Sequence, residues 1–161
     1  MNQTPREHGG EHDFDFLVGH WRIKNRRLTK YLQGSTEWEN FEATGTMNLI
    51  LGGMGNIDDF IPETWKPGFV GMSLRIFDPK TQLWSIYWAD NHRAVLDPPV
   101  IGKFSNGVGI FEGSDTLEGK PILMRFIWSN ISKTTARWEQ EFSADNGQTW
   151  EKNWTMAFTR A

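Results

Sequence analysis

From residue 20 onward, apolar and polar residues alternate in short runs, the pattern of half-buried β-strands. A turn signal separates the runs, and ten strands are predicted, at roughly 20–31, 36–50, 54–61, 69–77, 83–91, 99–104, 108–116, 121–130, 134–144 and 149–160. No long stretch carries a helical period. Ahead of the strands, Asp13 is placed to cap one helical turn holding Phe14, Phe16 and Leu17, and Gly19 can end it in the left-handed conformation. Residues 1–12 read as a flexible tail. The short connections Gln33-Gly34, Lys66-Pro67-Gly68, Ser105-Asn106-Gly107 and Glu118-Gly119 imply an up-and-down meander, which loses its free edges most simply by closing on itself. The expected fold is an all-β, ten-stranded antiparallel up-and-down barrel, with residues 13–161 as its single domain.

Turn chemistry then assigns faces. A two-residue turn at Gln33-Gly34 sets Lys30 opposite Glu37 and puts Trp21, Ile23, Asn25 and Arg27 on the face shared with Trp38, Asn40 and Glu42. A two-residue turn at Glu118-Gly119 pairs Phe111 with Phe126, Gly109 with Trp128 and Gly113 with Met124. Glu112 and Arg125 then face each other on the outside. In the last hairpin a bulged loop at Asp145-Asn146-Gly147 aligns Phe142 with Trp150 and Trp138 with Trp154.

Composition narrows the function classes. With 17 basic and 20 acidic residues, the chain lacks the basic surface that nucleic acid attracts. It has no cysteine, which removes disulfides and thiolate metal ligands. The polar start MNQTPREHGGEHD and the absence of a long apolar run predict no membrane span and a cytoplasmic location. Nine Trp, eleven Phe and two Tyr must fill a core or line a cavity.

Gly19-His20-Trp21 at the mouth of the first strand resembles the Gly-x-Trp start of the calycin superfamily. The resemblance implies that Arg160, at the end of the last strand, lies over Trp21 and seals one end of the barrel. The stretches FDFLVGHW, GSTEWENFEATG, LGGMGNIDDF, RIFDPKTQLWSIYW, LDPPVIGKF, RFIW and RWEQEFSADNGQTWEKNW are similar to an uncharacterised bacterial family with a lipocalin-like or nitrobindin-like barrel. That likeness implies the fold and no reaction. Nitrobindin-like barrels hold haem iron through a His on a late strand, whereas the histidines here are His8, His12, His20 and His92, with none from 93 to 161. No haem and no other cofactor is expected.

Ser143-Ala144-Asp145-Asn146-Gly147-Gln148-Thr149-Trp150 matches the Asp-box that braces hairpins in sialidases. Occurring once, it reads as a structural turn. No G-x-S-x-G elbow is present, and Asp58 and Asp59, being adjacent on a strand, point to opposite faces and cannot form a glycosidase pair. The glycines of 52–55 read as a tight crossing, and Asp97-Pro98-Pro99 as a break that can carry a cis peptide.

The functional expectation is therefore an interior that binds a small, partly apolar molecule with a polar or acidic head group. Trp38, Trp88, Trp128, Trp138 and Trp154 are the expected walls, with Gly109 and Gly113 leaving space. Arg27, Asn40, Glu42, Asn56, Asp58, Arg75 and Gln140 are the candidates to orient it. One alternative is a lyase, isomerase or cyclase with Glu42 or Asp58 as general base and Arg27 or Arg75 stabilising negative charge. Another is a filled barrel with a structural role, and a homodimer is one expected assembly.

Overall fold

The computed structural model describes residues 10–161. Most of the expected tail, His8 included, lies outside the described residues. Gly10–His12 forms a 3-10 turn against the barrel, where the Gly10 carbonyl accepts the Trp84 indole N–H at 3.0 Å. A second 3-10 turn, Asp15–Leu17, follows. Asp13 does not cap it; the residue before the turn is Phe14, and no side chain caps the end. Gly19 is left-handed, with φ +112°.

Ten strands follow in chain order: β1 (Gly19–Leu28), β2 (Trp38–Ile50), β3 (Gly55–Pro62), β4 (Gly71–Asp78), β5 (Leu83–Asp90), β6 (Val100–Ser105), β7 (Val108–Leu117), β8 (Lys120–Ser129), β9 (Thr135–Ser143) and β10 (Glu151–Arg160). Each pairs antiparallel with its chain neighbours, and β1 pairs with β10, so the sheet is a closed barrel. Closure satisfies both edges of the ladder. Burial alternates along the strands, as in β1, where Trp21, Ile23 and Asn25 are buried and Arg22, Lys24 and Arg26 exposed.

One end of the barrel is plugged. Phe14, fully buried, packs edge-on to Trp84, Phe104 and Trp128. Trp21 donates to the Leu17 carbonyl at 2.8 Å, and the Arg160 guanidinium lies 3.9 Å from the centre of its ring. Arg160 also donates to the Val18 and Phe16 carbonyls, tying the 3-10 turn to the last strand. The opposite end carries the longer loops, 29–37, 63–70, 91–99 and 144–150.

The β7–β8 register is the one the Glu118-Gly119 turn implies, with Phe111 opposite Phe126 and Glu112 opposite Arg125. The β1–β2 register is not. Residues 29–37 form an irregular loop in which the Thr29 N–H donates to the Glu37 carbonyl, so Arg27 faces Glu39 and Asn25 faces Phe41. Shifting the register by one residue turns every side chain of β2 to the other face. In the last hairpin Trp138 faces Met156, and Gln140 faces Trp154, with an irregularity between Lys152 and Trp154. Trp138 and Trp154 still meet inside, 6.1 Å apart between ring centres. Gly109 and Gly113 leave no room either. A Cβ at Gly109 would come within 2.7 Å of the Phe104 and Phe111 rings, and one at Gly113 within 2.3 Å of the Pro99 carbonyl. The described residues contain no cis peptide, Asp97-Pro98-Pro99 included, and no helix among them is long and apolar enough to cross a membrane.

The Asp-box folds as a self-bonded turn. Asp145 accepts from the Thr149 hydroxyl and amide and from the Ser143 hydroxyl, and these bonds lower its carboxyl to about 2. Its ordinary value is 3.8, so the turn gains stability that is complete above pH about 4 and fades as the pH falls toward about 2. Asp145→Asn is therefore expected to flatten this part of the acid-unfolding curve, which melting temperatures measured at intervals between pH 2 and pH 5 would reveal; an unchanged curve would refute the assignment.

Candidate functional site

A cavity of about 360 Å³ occupies the lumen. Its lining runs from Leu17, Trp21 and Trp128 at the plugged end to Tyr31, Trp65 and Pro98 at the loop end. Most of the wall is aromatic or aliphatic, as inward positions of a closed sheet must be. Two guanidinium–carboxylate pairs interrupt it.

The lower pair is built by β3 and β4, whose register sets Asn56 opposite Arg75 and Asp58 opposite Ser73. Arg75 is 4% exposed and pairs with Asp58 at 2.8 Å. It donates to the Asn56 amide oxygen at 2.9 Å, and Asp58 accepts the Ser73 backbone N–H at 3.0 Å. The guanidinium lies over Phe14 and Trp128 of the plug, with ring centres 5.2 and 5.8 Å away. The buried charge is thus neutralised, hydrogen-bonded and stacked. The Arg75 Nε–H and the Asn56 amide N–H group remain without a partner.

The upper pair is Arg27 and Glu39, 2.7 Å apart. The Arg27 guanidinium sits among Tyr31, Trp65 and Trp154, with ring centres 4.7 to 5.3 Å away. Glu39 also accepts the Trp65 indole N–H at 3.1 Å, and Trp65 stacks on Phe41. Here too donors go unmet, at Arg27 Nε and the Tyr31 hydroxyl. Burial pushes the Tyr31 hydroxyl up to about 12, against the pull of Arg27.

At the rim, Arg93 bridges Asp90 and Asp97 with contacts of 2.9 to 3.0 Å, closing loop 91–99 onto the end of β5. Burial acts to raise the Asp90 carboxyl. The backbone and guanidinium hydrogen bonds of Arg93, with the Trp88 indole, outweigh it and hold Asp90 below its ordinary value.

The residues expected to wall the lumen or to orient a ligand divide cleanly. Asn56, Asp58 and Arg75 come together, and Trp88, Trp128, Trp138, Gln140 and Trp154 line the cavity. Gln140 spends one amide bond on Asn153, and the Trp154 indole donates to Asn25. Trp38, Asn40 and Glu42 do not belong to the lumen. The β1–β2 register sends them outward, opposite Leu28, Arg26 and Lys24, and Trp38 lies under Arg26 on the outer surface. Glu39 takes the place expected of Glu42. Tyr31, Glu39 and Trp65 were missed; apolar Tyr31-Leu32 within a supposed tight turn was the available sign of a packed loop. His92 is exposed in loop 91–99, edge-on to Phe69, and His20 is exposed and bonded to Thr46. Among the described residues no three His, Asp or Glu gather in a group that could hold a metal ion.

No family model and no curated protein matches the chain. Among solved structures it is similar to the S-type phycobiliprotein lyase CPES from Guillardia theta, with a TM-score of 0.62 over 96% of this chain and 94% of that one, at 8% sequence identity. At that identity the likeness shows a shared barrel fold.

Removing Asp58 strands a buried charge, whereas Glu42 faces water. Asp58→Ala is expected to cost about 3–5 kcal/mol and Glu42→Ala no more than about 0.5 kcal/mol in urea unfolding. Equal effects would refute the face assignment.

Proposed function

We propose that the barrel binds a small, partly apolar molecule in its lumen. The observation that carries this reading is the cavity of about 360 Å³, which sits within the usual size range of small-ligand sites and combines aromatic walls with a few fixed polar groups. A filled barrel with a purely structural role would leave no such space. The polar pairs supply orientation, since a ligand group near Arg75 or Arg27 meets donors held in place by Asp58 and Glu39.

A second reading is catalysis in the same cavity. Asp58 and Arg75, side by side on the wall, are a carboxylate and a cation of the kind that remove a proton and stabilise the charge formed. The barrel's likeness to a phycobiliprotein lyase favours considering a lyase in particular. Glu42, on the outer face, has no part in it.

The test is a panel of apolar metabolites and lipids followed by tryptophan fluorescence and thermal shift, since Trp88, Trp128, Trp138 and Trp154 all line the cavity. Saturable quenching with stabilisation is expected for some members, and no response across the panel would count decisively against a binding lumen. For any compound that turns over, Asp58→Asn is expected to abolish turnover while retaining binding; undiminished turnover would sink the catalytic reading.

A further inference from the structure

We infer that the molecule held in the lumen is uncharged and presents a hydrogen-bond acceptor, such as an amide, ester or ketone oxygen, in preference to a carboxylate. The inference rests on the binding reading above and names the chemistry of its ligand.

Two observations carry it. The first is charge. Four basic side chains line the cavity, Arg27, Lys66, Arg75 and Arg93, and each of the three arginines is already in an ion pair. Lys66 is exposed at the mouth, over the Trp65 ring at 4.5 Å. Against these stand five lining aspartates, Asp58, Asp59, Asp90, Asp97 and Asp115. A carboxylate brought to Arg75 would share one guanidinium with Asp58, leaving an uncompensated negative charge where the medium screens poorly. The anchor that suits an acid in a barrel is an arginine free of a carboxylate partner, and no arginine lining this cavity is free.

The second observation is hydrogen bonding. Five buried side-chain polar atoms among the described residues lack a partner, and four belong to the interior pairs: Arg27 Nε, Tyr31 Oη, Asn56 Nδ2 and Arg75 Nε. Three are donors only and the fourth, a hydroxyl, can donate. Arg27, Tyr31 and Arg75 line the cavity while Asn56 lies behind its wall, so the unmet demand for acceptors reaches both ends of an aromatic-walled space. Buried donors left unpaired are costly, so an uncharged acceptor relieves the site where an anion overcharges it.

The experiment compares three probes of one shape by isothermal titration calorimetry at pH 7.5: naphthalene-2-carboxamide, naphthalene-2-carboxylate and 2-ethylnaphthalene. The amide is expected to bind at least about tenfold more tightly than either of the others. Asp58→Asn, which removes the lower pair's negative charge at constant shape, is expected to shift the amide-to-carboxylate ratio toward the carboxylate by about tenfold or more. Glu39→Gln at the more exposed upper pair gives the same readout in a site more tolerant of change, should the Asp58 variant fold poorly. Carboxylate binding as tight as the amide, or hydrocarbon binding as tight as the amide, would overturn the inference while leaving a binding lumen in place. Failure of all three probes, together with a silent metabolite panel, would remove the binding reading and this inference with it.

Discussion

Closure of the sheet at ten strands is the constraint on which the rest depends. Pairing β1 with β10 removes both edges, and it also sets a circumference. Barrel diameter grows with strand number, so inward side chains that would fill a narrower barrel leave space in this one. The aromatic content answers part of that demand: Phe14, Trp84, Phe111 and Trp128 make a solid floor. Above them the rings pack against one another along the wall, and a cavity of about 360 Å³ is left between them.

A lumen wide enough to stay open also holds charges that a packed core would expel. Arg75 and Arg27 are retained inside because each has a carboxylate, aromatic faces and hydrogen-bond acceptors arranged around it. The arrangement differs between the two levels. Arg75 is locked by strand-borne partners whose positions follow from the β3–β4 register. Arg27 depends on Tyr31 and Trp65, contributed by the loops between β1 and β2 and between β3 and β4, so its surroundings can rearrange when those loops move. The floor is thus built on paired strands and the mouth in part on loops.

Legibility in the sequence followed the turns. Where the turn was a two-residue Glu-Gly pair, the register of β7 and β8 was readable to the residue, and with it the outward placement of Arg125 against Glu112. The members of the lower site were readable one by one, because Asn56 and Asp58 alternate on one strand and Arg75 interrupts an apolar one, but their pairing was not. At β1–β2 the tempting Gln33-Gly34 turn is part of an irregular loop from residue 29 to residue 37, held partly by the Glu151 carboxylate accepting the Leu32 N–H from the far side of the chain. No local pattern encodes a contact across 119 positions. Asn40 and Glu42 consequently appeared to face inward, and Glu39 did not.

By itself, the sequence determined the strand pattern, the barrel and the structural character of the Asp-box turn, since each depends on side-chain period and on hydrogen bonds between near neighbours. Tertiary structure alone decided which carboxylate meets Arg27, that both interior arginines are already neutralised, and that the lumen is open. The physical reason is that period 2 specifies two faces without saying which is inner. That choice, and every charge pairing across the lumen, is made only when strands distant in sequence settle into one register around a closed ring.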